Sequence, residues 1–210
     1  MLRTMIVALG LLWAGHAFAL ALDVGMLTQV TGKVEITSVG GEKHAAVSFL
    51  KVAVGDKLVL SQDAQVQVVY FDSSHQELWK GAGQVEIGAS DGHSQTIQPV
   101  IKKLPPLVAR QLIKTPASGE QGTTGMVTVR SLSSDTIESL EKQYQEFKST
   151  TTTDDTTPEV FLMTGLLEMK EYEHATTVLE GFRAKLTSNP ELAAVVDHFE
   201  PLVKAGAEEQ

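Results

Sequence analysis

The chain of 210 residues carries 26 acidic and 17 basic side chains, a formal net charge of -9 and no cysteine. That balance argues against a phosphate-neutralising nucleic-acid surface and disfavours anionic membranes. The missing thiols exclude disulfides, thiolate metal sites, a cysteine nucleophile and a lipidated cleavage-site cysteine.

The first five residues carry one charge, at Arg3, before an apolar stretch from Ile6 to Ala14 and the small-residue patterns Ala17-Phe18-Ala19 and Ala19-Leu20-Ala21. This order predicts a signal peptide over residues 1–21, cleaved after Ala19 or Ala21. Its apolar run is shorter than the roughly 20 residues that cross a bilayer core. No later segment is apolar enough to span. The mature protein is therefore expected to be periplasmic or secreted, with no transmembrane segment.

From Val24 to about Leu132 the chain is rich in valine, glycine and short alternating runs. Lys33-Val34-Glu35-Ile36 and Gln84-Val85-Glu86-Ile87 each alternate polar with apolar, which gives a strand one buried and one wet face. Between them Lys57 to Leu60 and Gln65 to Phe71 read as strands bounded by Gly55-Asp56 and Ser61-Gln62-Asp63. Gly40-Gly41 suits a hairpin loop, and Asp72-Ser73-Ser74 a turn. Leu78-Trp79 begins a further strand, ended by Gly81-Ala82-Gly83. Short strands at this spacing predict an antiparallel sandwich or barrel. The prolines at 99, 105, 106 and 116 limit the segment from Thr96 to Gly122 to a packed connection with a short helix over Leu107 to Ile113.

Thr31-Gly32-Lys33-Val34, Val54-Gly55-Asp56-Lys57-Leu58, the run from Ala64 to Phe71 with its Asp72-Ser73-Ser74 turn, and Val85-Glu86-Ile87 together resemble the extracytoplasmic FecR-type domain. Lys114-Thr115-Pro116, Gly122-Thr123 and Met126 to Val129 resemble its closing segment, so the likeness covers about residues 24–132. Ser73 stands where that family usually has glycine, and Gln121 where it often has arginine. The family's membrane helix and its cytoplasmic regulatory segment have no counterpart here. The resemblance implies an exported β domain used for contacts with other molecules.

The second part is helical. Ser134-Asp135 precede Ile137, Leu140, Tyr144 and Phe147 at helical spacing, which predicts a connecting helix over 133–149. Residues 150–157, rich in threonine and aspartate, read as a flexible linker. Thr157-Pro158-Glu159 opens a helix through Lys170, Tyr172 to Leu186 forms a second, and Glu191 to Val203 a third. Leu162, Leu166, the Met169 to Tyr172 turn, Ala175, Leu179 and Phe182 resemble one tetratricopeptide repeat. Such a hairpin must pack on the preceding helix or dock on another chain. The expected class is α+β, an antiparallel β domain (22–132) followed by a small helical bundle or tetratricopeptide-like hairpin (158–205).

No nucleophile elbow, phosphate loop or dinucleotide fingerprint occurs, so no catalytic residue, metal ligand or cofactor site is assigned. The histidines are scattered. Asp72 and His75 lie three apart across a turn, and Tyr70 and Trp79 could present an aromatic surface, so these four are the candidate binding residues. The reading is a non-catalytic module that binds a protein partner in the periplasm or cell envelope. The alternative is a periplasmic domain that takes cell-wall glycan or peptide on its β surface.

Overall fold

The computed structural model of the chain describes residues 22–118 and 136–209. The expected leader, the Ser134-Asp135 helix start and the Gly122 to Val129 part of the family resemblance lie outside them.

Among the described residues the strands come first: β1 (Asp23–Thr31), β2 (Val34–Thr37), β3 (Lys43–Ala45), β4 (Lys51–Ala53), β5 (Lys57–Leu60), β6 (Gln65–Tyr70), β7 (His75–Lys80), β8 (Gly83–Ile87), β9 (Gly92–His93) and β10 (Val100–Lys103). The helices follow: α1 (Pro106–Leu112), α2 (Ile137–Ser149), α3 (Thr157–Glu168), α4 (Tyr172–Arg183) and α5 (Leu192–Glu208). The strands form two antiparallel sheets, ordered β10-β7-β6-β1-β4 and β3-β2-β5-β8-β9. The chain is α+β, with its sheets N-terminal to its helices among the described residues.

Period-two patterning decides which faces meet. In β5, Leu58 and Leu60 are buried while Lys57 and Val59 are exposed, and β2 and β8 alternate in the same sense. The second sheet therefore has one wet face. In β6, Val66, Val68 and Tyr70 join the core between the sheets, yet Gln67 and Val69 on the opposite side are buried as well. The first sheet is covered twice, by the second sheet on one side and by the helices on the other. Met26, Val69 and Phe71 share a single core with Val160, Phe161, Met163 and Phe199.

Turn chemistry fixes the registers. Gly32 has φ +76° between β1 and β2, and Gly55 has φ +92° before β5. The buried Asp56 carboxylate accepts the N–H groups of Ala53 (2.9 Å) and Val39 (3.1 Å), which gives the Val-Gly-Asp step its structural role. In the β6–β7 turn the left-handed residue is Ser74 (φ +49°), one place beyond the expected position, and Ser73 Oγ donates to the Ser90 carbonyl. Inside the segment read as a packed connection, β10 runs between Pro99 and Pro105 and pairs with β7.

Residues 150–157 correct the expectation of a flexible linker. Asp155, Thr156 and Thr157 are buried, Thr151 Oγ1 accepts from Lys102 Nζ (3.0 Å), and the Thr153 carbonyl accepts from Asn189 Nδ2 (2.6 Å). Polar composition alone suggested solvent. The fold instead brings polar partners from the sheet and from the segment before α5. In the helical hairpin, α3 is buried from Thr157 to Leu166 and contacts α1, α2, α4 and α5.

Candidate functional site

The β6–β7 hairpin carries the candidate residues. Positions 75, 77 and 79 of β7 share the face of 66, 68 and 70 in β6, so His75 and Trp79 point between the sheets beside Tyr70. Tyr70 and Trp79 are fully buried and present no aromatic surface, which corrects that expectation. Asp72 is exposed at the turn, whereas His75 faces inward, so the two do not act together.

The organising residue is Glu77, which the sequence reading missed. Its side chain is 1% exposed. A carboxylate so placed needs donors. It accepts from Trp79 Nε1 (3.0 Å) and from the Gly92 N–H (3.1 and 3.2 Å to its two oxygens), and His75 Nε2 lies 3.1 Å away. A Cβ on Gly92 would lie 2.8 Å from both Glu77 Oε2 and the Trp79 ring. Only glycine lets β9 come this close. The only early signal was one acidic residue at an inward position of an alternating strand. Tyr70 stacks on His75, its cross-strand partner, with ring centroids 5.2 Å apart. Burial, helped by the negative charges of Glu77 and Asp91, drives the Tyr70 pKa far above its ordinary value, so the hydroxyl keeps its proton. The arrangement is a closed lock between the two sheets.

Comparison with family models, with curated proteins and with solved structures gives no match for this chain.

On the other face of the same hairpin, Gln67 Nε2 donates to Asp155 Oδ1 (2.9 Å) and Thr157 Oγ1 (2.8 Å), and Gln76 Nε2 to Asp155 Oδ2 (3.2 Å). Lys102 Nζ reaches the same carboxylate at 3.3 Å. Burial alone would raise the Asp155 pKa, but the bonds from Thr157, Gln67 and Gln76 outweigh it and hold the group below the ordinary carboxylate value. Among the described residues, no three His, Asp or Glu side chains gather where a metal ion could be held.

The open part of this region is its edge. β10 ends the first sheet beyond β7. Val100 is 65% and Ile101 61% exposed, and Leu107 and Ile113 are exposed on or next to α1. Residues 97–118 contain Lys102, Lys103, Arg110 and Lys114 and no acidic residue. Lys102 and Lys114 are matched by Asp155 and Glu168. Lys103 and Arg110 are exposed, with no carboxylate in ion-pair range among the described residues.

Proposed function

We propose that this chain is an exported, non-catalytic interaction module that holds a protein partner in the periplasm or cell envelope, and that β10 and α1 provide the contact surface. The observation that carries the reading is the set of exposed apolar residues Val100, Ile101, Leu107 and Ile113 in a segment whose Lys103 and Arg110 have no carboxylate in ion-pair range among the described residues. Exposed apolar side chains beside charged ones are what protein interfaces use. The likeness of residues 24–132 to exported contact domains supports the location, as does the leader-like start of the chain. The helical hairpin, whose α3 is buried by its own chain, plays the supporting part. The glycan-binding alternative loses its aromatic platform with Tyr70 and Trp79 in the core.

The test is photocrosslinking in cells. A crosslinking residue at Ile101 or Leu107 is expected to trap one partner, and the same residue at Val59, exposed on the second sheet, to trap none. Equal capture at all three positions would remove the reading. Export is checked separately by fractionation and N-terminal sequencing, which should place the mature start at residue 20 or 22.

A further inference from the structure

The ladder shows which backbone groups of β10 are free. Leu104 N–H donates to the Ser74 carbonyl (2.9 Å), and the pairing Val100↔Leu78 through Lys103↔His75 leads directly into that bond. Hydrogen-bonded and non-bonded pairs alternate along an antiparallel ladder. Val100 and Lys102 therefore turn their N–H and C=O groups toward β7. Ile101 and Lys103 turn theirs outward, where no further strand pairs among the described residues. Two donors and two acceptors stand along the edge, beside exposed apolar side chains and Lys103, which has no carboxylate in ion-pair range among the described residues. Such an edge is a template for another strand.

Resting on the interaction-module reading, we infer that β10 receives an extended acidic segment of a partner protein by strand addition, with a carboxylate opposite Lys103 and an apolar side chain opposite Ile101. The backbone bonds supply a sequence-independent part and the alternate side chains the selection. Charge argues against a second copy of this chain as the occupant. A two-fold pairing that uses both outward residues sets Ile101 against Lys103 of the other copy, so that each Lys103 faces an apolar side chain where an acidic segment would supply a carboxylate. The flanking Pro99 and Pro105 limit the added strand to a few residues.

The probe is a blocked heptapeptide of threonines with glutamate, valine and glutamate at its second, fourth and sixth positions, titrated into the isotope-labelled full chain. The Ile101 and Lys103 amide signals are expected to shift, and the same peptide with lysine for glutamate should bind about tenfold more weakly or not at all. Ile101→Pro removes an outward N–H without touching the ladder to β7, and should weaken binding about tenfold, while Ile101→Thr keeps that donor and stays within about threefold. Should the proline variant not fold, Lys103→Glu gives the same decision by reversing the preference between the two peptides. Strand addition is overturned by unchanged binding to Ile101→Pro, by equal binding of both peptides to the unmodified chain, or by peptide-free dimerisation through these amides. A partner still trapped from Leu107 in Ile101→Pro cells would remove strand addition alone and leave the interaction module standing.

Discussion

Asp155 and its neighbour Asp154 have the same side chain one residue apart, but one is 6% exposed and bonded to the sheet while the other faces water. Removing the buried carboxylate leaves Gln76 Nε2 without its acceptor and takes one of two acceptors from Gln67 and from Lys102. Asp155→Ala is therefore expected to cost about 2–4 kcal/mol, and Asp154→Ala less than about 0.5 kcal/mol, in urea denaturation. The lowered Asp155 pKa means the native state holds this proton less tightly than the unfolded chain. Its contribution is present above the unfolded value near 3.8 and is lost as pH falls below it. His198 acts in a different window. Its ring stacks on Phe49 (4.2 Å between centroids) and meets Phe199 edge-on. Burial pushes its pKa down to about 4, against the opposing effect of a bond to the Pro116 backbone. The unfolded chain takes up this proton near pH 6.5 and the folded chain only near pH 4. Stability should fall by about 2 kcal/mol as pH drops from 6.5 to 4. Melting temperature measured against pH checks this, and His198→Phe, which retains an aromatic ring, should flatten the curve between those limits.

At the scale of elements, the contact between α2 and α3 turns on one glycine. Alanine in place of an exposed helical glycine is stabilising by about 1 kcal/mol, but a Cβ at Gly165 would lie 2.6 Å from both Leu140 methyls. Gly165→Ala is expected to lose about 1–2 kcal/mol, and the Leu140→Ala, Gly165→Ala double variant to lose less than the sum of the two single losses. Thermal melts of the four proteins provide the cycle. Much at this scale was legible. The alternation in residues 33–36, 57–60 and 84–87 and the helical spacing after Pro158 mark strands and helices that the structure contains. β10 was hidden because the surrounding prolines outweighed a four-residue pattern. Residues 150–157 misled because composition reports the preference for water, while burial depends on partners brought from distant positions. The candidate site was legible only in outline: three of its four residues cluster, but around Glu77, whose role depends on Gly92 fifteen residues later.

At the scale of the whole molecule, the middle sheet joins the two halves. Its inner face shares a core with the second sheet through Leu27, Val66, Val68 and Trp79, and its outer face shares another with the helices through Met26, Val69 and Phe71. Neither half can unfold without exposing apolar surface of the other, and the Gln67 and Gln76 bonds to Asp155 would break at the same moment. Coupling of this kind produces one cooperative transition. The Trp13→Phe variant leaves Trp79, buried between the sheets, as the sole fluorescent tryptophan, while far-ultraviolet circular dichroism is dominated by the helices on the opposite face. The two probes are expected to give coincident urea midpoints and slopes. A helical signal lost well before the tryptophan signal would mean that the shared core contributes little, and that the helices are an appendage on a self-sufficient sandwich.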